Sequence, residues 1–178
     1  MTYTLRLANS SDMLDIAGLI TRSAKAIDNA YYSAAEVDAA LTGAFGVDEQ
    51  LIADSTYWIV HHNGLLVGCG GWSYRRTLFG SSARKERDDT RLDPLTEAAK
   101  IRAFFVDPSH LRKGIAKSIL ETCERAAQAA GFTQLQLMAT LSGVPFYRQC
   151  GYQPSAPMIY AATPNVDIRF VPMRKELK

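Results

Sequence analysis

Residues 101 to 116 read Ile-Arg-Ala-Phe-Phe-Val-Asp-Pro-Ser-His-Leu-Arg-Lys-Gly-Ile-Ala, an apolar strand running into a basic turn that opens a helix. The first backbone N–H groups of a helix have no intrahelical partner, and the peptide dipoles sum to a positive partial charge there. A phosphate is therefore stabilised at such a turn. Gly114, without a Cβ, lets a phosphate oxygen approach the main chain. Arg112 and Lys113 put positive charge where the dipole disfavours it by about 0.3–1 kcal/mol per exposed charge, which is how a site awaiting an anion reads. Neither Gly-x-x-x-x-Gly-Lys-Ser/Thr nor Gly-x-Gly-x-x-Gly occurs, so nucleotide hydrolysis and dinucleotide binding lose support.

The elements that must hold this turn are legible on both sides. Pro108 closes the strand. Ile115, Ile119, Leu120, Cys123, Ala126, Ala127 and Ala130 recur at helical spacing, with Lys117, Glu121, Glu124, Arg125 and Gln128 on the other face and Gly131 as the stop. A second strand follows at Gln134 to Met138, then a connector from Ala139 to Val144. A short helix, Pro145 to Cys150, ends at Gly151-Tyr152.

This succession resembles the GCN5-related N-acetyltransferases (GNAT). Their acetyl-CoA motif runs from an apolar strand through an Arg/Gln-x-x-Gly-x-Gly/Ala turn into a helix, and a Phe-Tyr-x-x-x-Gly-Phe/Tyr stretch comes later. Here Leu111 to Ala116 and Phe146 to Tyr152 supply the two parts, in order and separated by a helix and a strand. Two positions depart from the pattern: Leu111 stands where Arg or Gln is usual, and Thr140 where an Asn is frequent, seven residues before the Tyr.

The resemblance implies an α/β fold with a mixed, largely antiparallel central sheet flanked by helices, splayed to form an acyl-CoA cleft. It implies acetyl-CoA as acyl donor, with Phe104, Phe105 and Val106 offering backbone groups to the pantetheine arm. Arg112, Lys113, Gly114, Ile115, Ala116 and Lys117 would face the pyrophosphate, and Thr140 would contact the cofactor near its thiol. Tyr147 is the expected catalytic acid, since collapse of the tetrahedral intermediate expels a thiolate that a nearby phenol can protonate. For the base, Glu97 is the candidate carboxylate. The position that aligns best with the family's glutamate is Lys100, and His110, His61 and Asp107 are alternatives.

Composition bounds the rest. A chain of 178 residues, 47% hydrophobic and 21% charged, suits one globular domain spanning 1–178. A net charge of +2 without a long basic run argues against nucleic acid as a partner. Three cysteines without Cys-x-x-Cys spacing read as buried thiols of a reducing cytoplasm, and the three histidines and three cysteines show no metal-ligand spacing. The first residues lack signal-peptide character and no apolar run is long enough to cross a bilayer, so no membrane partner is expected.

Upstream of the motif, Tyr3 to Leu7 alternates as a strand. Ser10 or Ser11 would cap a first helix, and Ser33 with Glu36 makes a capping box for a second. Strands at 57–61 and 65–72 flank the turn-forming Asn63-Gly64. Residues 73 to 96 read as a long loop or extended hairpin tip, and Met158 to Ala161 and Ile168 to Met173 as closing strands. The expected activity is direct transfer of an acetyl group to an amine of a small molecule, peptide or protein in a ternary complex, in a fold compatible with a homodimer. The rival is a non-catalytic acyl-CoA sensor.

Overall fold

The computed structural model describes residues 2–84 and 86–177. In chain order the elements are β1 (Thr4–Leu7), α1 (Met13–Lys25), α2 (Ala34–Ala40), α3 (Glu49–Ala53), β2 (Tyr57–His62), β3 (Leu65–Ser73), β4 (Ala99–Val106), α4 (Ile115–Ala129), β5 (Gln134–Thr140), α5 (Val144–Gln149), β6 (Gln153–Pro154), β7 (Met158–Thr163) and β8 (Val166–Glu176). One eight-stranded sheet runs β1-β2-β3-β4-β5-β8-β6, with β7 also paired to β8. Its pairings are antiparallel except β4 with β5, which are parallel because α4 crosses between them. The mixed, mostly antiparallel sheet expected from the sequence is therefore present.

Apolar alternation explains the two-sided burial. One core cluster lies under α4 and includes Val60, Val67, Ile101, Ile119, Leu120, Leu135, Leu137 and Tyr152; the other lies under α1 to α3 and includes Ile16, Leu19, Ile20, Leu51, Tyr57, Ile59 and Phe170. Successive strand side chains point to opposite faces, so each central strand feeds both. Cys69 and Cys123 are buried free thiols as expected, while Cys150 is half-buried. Among the described residues no helix is long and apolar enough to cross a membrane.

Three local differences from the sequence reading have physical causes. Asn9, not Ser10 or Ser11, starts the first helical segment: its side chain accepts from the Ser11 N–H at 2.9 Å, and its own N–H donates to Asp12 at 2.8 Å. Asp12 is held for that task by Arg6 of β1, six residues earlier, at 2.7 and 2.9 Å, an ion pair that lies outside the capping pattern itself. The second difference is α3, whose five residues are too short to show a period. The third is β6, a two-residue strand. The Ser33 and Glu36 capping box, by contrast, forms as expected.

Residues 73–84 and 86–96 form the arms of an extended hairpin that pair loosely through Leu92 N–H to Tyr74 O, Arg76 N–H to Thr90 O and Thr77 N–H to Asp88 O, at 2.8 to 3.0 Å. Ion pairs fasten it to the body, Arg75 to Asp54 at 2.7 Å and Arg87 to Asp48 at 3.2 Å.

Candidate active site

The parallel pairing of β4 with β5 covers only Ala99–Leu135, Lys100–Gln136 and Ile101–Leu137. Beyond these, β4 continues to pair with β3 as far as Val106–Gly68, and β5 with β8 as far as Thr140–Phe170, so the two facing edges part with their backbone groups unpaired. The cause is a bulge. Between the pairs Gly71–Arg102 and Cys69–Phe105, β4 carries one residue more than β3. Ala103 takes the extra place at φ +56°, a left-handed conformation that costs a non-glycine residue about 1–2 kcal/mol. Its carbonyl is held by the buried Tyr57 hydroxyl at 3.1 Å, with Cys69 Sγ at 3.8 Å. Burial pushes the Tyr57 phenol well above its ordinary value, so it stays a donor.

The parted strands enclose a cleft of about 240 Å³. At the end where β4 leaves the sheet it is lined by Phe104, Phe105, Val106, Leu111 and Ala116; Thr140, Ser142, Gly143, Phe146 and Tyr147 form the β5 side. The turn sits at this rim. Arg112 has φ +59° and Gly114 φ +80°, and a Cβ built on Gly114 would meet nothing within 4 Å. The N–H groups of residues 111 to 117 donate to no acceptor among the described residues. Arg112 and Lys113 are exposed, and neither forms an ion pair among the described residues; the Lys113 ammonium donates only to the Ser109 carbonyl, at 3.0 Å. A row of open donors beside a gap in front of Gly114 fits a diphosphate. Ile115 is buried rather than exposed, and it seats the helix: a Cβ on Gly68 of β3 would collide with its side chain, so that glycine lets the start of α4 press against the sheet. Lys117 lies one turn on, exposed, 3.9 Å from Glu121 and outside the cleft lining.

Tyr147 projects from α5 into the cleft. Its ring packs edge-on against Phe104, Phe146 and Tyr152, with centroids 6.4, 5.0 and 5.7 Å away. Its hydroxyl forms no hydrogen bond among the described residues, and burial raises its pKa from the ordinary value, so it remains a protonated phenol. Thr140 Oγ1 accepts from the Gly143 N–H at 3.1 Å, and its own backbone carbonyl accepts from the same N–H at 3.0 Å, which ties β5 to the start of α5.

The structure does not bring the candidate base Glu97 to this cleft. Its carboxylate pairs with Arg76 at 2.8 Å and accepts from the Asp93 N–H at 2.8 Å, because it closes the foot of the 73–96 hairpin before β4 enters the sheet. Lys100 is buried beside Gln136 at 2.9 Å, and desolvation lowers its pKa, but it too lies outside the lining. Hydrogen bonds, first that from the Ser109 hydroxyl, hold Asp107 down to about 2. His61 and His110 do not line the cleft either. The residues that the sequence reading passed over are Phe45, Leu78, Phe79, Arg102, Met138 and Phe170, which line the far part of the cleft. Arg102 carried a signal, since a cation set among Ile101, Ala103, Phe104 and Phe105 is unusual for a strand interior, where charged side chains are buried only with a partner.

Comparison with known proteins agrees with this geometry. Residues 53–154 match the family model of the acetyltransferase (GNAT) domain. The chain is 28% identical over 128 residues to the uncharacterized N-acetyltransferase YsnE of Bacillus subtilis, covering 68% of this chain and 72% of that protein. Among solved structures it is similar to a GCN5-related N-acetyltransferase from Rhodopseudomonas palustris, with TM-score 0.70 and 17% identity over 99% of this chain and 97% of the other. It is also similar to the PaiA N-acetyltransferase of Thermoplasma acidophilum in complex with coenzyme A, with TM-score 0.66 and 15% identity over 99% of each chain.

Proposed function

Because the chain belongs to the GCN5-related N-acetyltransferase family, whose members are acetyl-CoA-dependent acyltransferases, we propose that it transfers an acetyl group directly to a primary amine within a ternary complex. The observation that carries this reading is the juxtaposition of the parted β4 and β5 edges with the open N–H groups at residues 111–117. An extended pantetheine arm can pair with the free edge of β4 as an added strand, using main-chain groups of Phe104, Phe105 and Val106. The turn at Arg112, Lys113, Gly114, Ile115 and Ala116 then receives the diphosphate, with Lys117 adding charge at longer range. Thr140 positions the β5 side of the cleft.

Tyr147 is the residue proposed to act on the reacting atoms. As the amine nitrogen bonds to the acetyl carbon and the carbon–sulfur bond breaks, the phenol gives its proton to the departing thiolate, and the proton shed by the amine returns to it through solvent. No carboxylate, histidine or lysine lines the cleft among the described residues, so the acceptor arrives as the free amine or loses its proton to water. Calorimetry should show CoA binding with NAD and ATP far weaker, and acetyl-CoA with an amine panel should release free thiol. Binding of NAD or ATP in place of CoA would end the proposal.

The same arrangement sets a pH dependence. With no base in the cleft, kcat/KM should rise with unit slope until the pKa of the acceptor amine, and the inflection should move when the amine is changed. Burial raises the Tyr147 pKa, so its acid form persists and no falling limb should come from it up to about pH 10. An inflection that stayed in place across amines of different basicity would show that the protein supplies the base.

A further inference from the structure

The part of the cleft beyond the bulge is not used by the acyl donor in this reading. Its walls include Phe45, Leu78, Phe79, Phe105 and Phe170, and Phe45 meets Phe105 and Phe170 edge-on at 5.6 and 6.2 Å. Among the described lining residues the only charged side chain is Arg102, 1% exposed. Its Nη2 donates to the Gly80 carbonyl at 2.8 Å and lies 2.5 Å from Asp48 Oδ2, whereas its Nε and Nη1 are buried with no hydrogen-bond partner. Buried polar groups are bonded in nearly every case, and one left open is a standing cost to the folded state.

Surrounding charge does not close the account. Asp48 also serves Arg87, whose other acidic contact, Asp89, is exposed. Arg84 stacks 4.4 Å over the Phe79 ring, and its acidic neighbour Glu86 is 3.9 Å away and 90% exposed. Two guanidinium groups, those of Arg102 and Arg87, thus share one buried carboxylate beside an aromatic chamber. Such a site suits a ligand with an anionic group on an apolar body.

Resting on the acetyltransferase reading, we infer that the acceptor is a free α-amino acid with a large apolar side chain. Arg102 takes its carboxylate, and the phenylalanine-lined chamber takes its side chain. Arg102 directly precedes the bulged Ala103 in β4, so a carboxylate held there shares that strand with the pantetheine arm of the proposed acyl donor. An α-amino acid carries that carboxylate beside its amine, whereas a protein lysine does not.

The test compares L-phenylalanine, L-phenylalaninamide, 2-phenylethylamine and L-glutamate as acceptors for the unmodified protein, with thiol release as readout and calorimetric CoA binding as a control. Phenylalanine should exceed its amide in kcat/KM by about 10- to 100-fold, the worth of one hydrogen-bonded charge, and should exceed glutamate as well. Arg102→Lys, which keeps a cation beside Asp48, should shrink the ratio between phenylalanine and its amide. Equal use of acid and amide, preference for glutamate, or no turnover of any carboxylated acceptor by protein that binds CoA would each overturn the assignment. Loss of CoA binding itself would instead overturn the acetyltransferase reading.

Discussion

Tyr147→Phe should lower turnover by about 10²- to 10⁴-fold while leaving CoA affinity nearly unchanged, the pattern expected when a positioned acid acts only in the transition state. The change removes one oxygen and keeps the ring. The packing against Phe104, Phe146 and Tyr152 is therefore retained, and the hydroxyl leaves no orphaned partner because it has none among the described residues. A fall in kcat with intact CoA binding and an unchanged melting temperature assigns the loss to proton transfer. Wild-type turnover in the variant would remove Tyr147 from the chemistry and leave thiolate departure to water.

Gly114→Asp should weaken CoA binding by at least about 100-fold and leave the protein folded. A Cβ at this position meets no neighbour within 4 Å, and Asp tolerates the left-handed φ of +80° better than most residues. The damage is electrostatic. A carboxylate about 5 Å from a phosphate at an effective dielectric near 20 opposes it by roughly 3 kcal/mol, which is about two decades of affinity. Gly114→Asn carries the same backbone strain without the charge and should lose far less. Equal losses in the two variants would mean that strain, not a nearby diphosphate, controls the turn.

The strand, turn and helix at 101–129 were legible because each announces itself locally, by an apolar run, a proline, a glycine and a 3.6-residue period. Tyr147 was legible only through its motif. What escaped depends on contacts between distant segments. Asp48 leaves the cap of α3 unmade because its carboxylate is turned to Arg87 and Arg102, residues 39 and 54 positions later. Glu97 stood beside the right strand in sequence, yet the hairpin foot claims it through Arg76. The far wall of the cleft is assembled from α2's exit, the hairpin tip and β8, three segments with no common local signal.

Alternation along β4 shows how little chain separates this open sheet from a closed one. Ile101 faces the core under α4, Arg102 faces Asp48 on the other side, Phe104 returns to the first face and Phe105 to the second. Leave out Ala103 and the period of two is unbroken from Ala99 to Val106. The bulged residue is thus a pure insertion, which shifts register without reassigning the side chains that matter to either core. No point substitution can do this, since exchanging a side chain leaves the backbone count unchanged. A single in-frame codon can. The extra residue that re-aims β4 along the cleft is therefore one length change rather than a series of replacements.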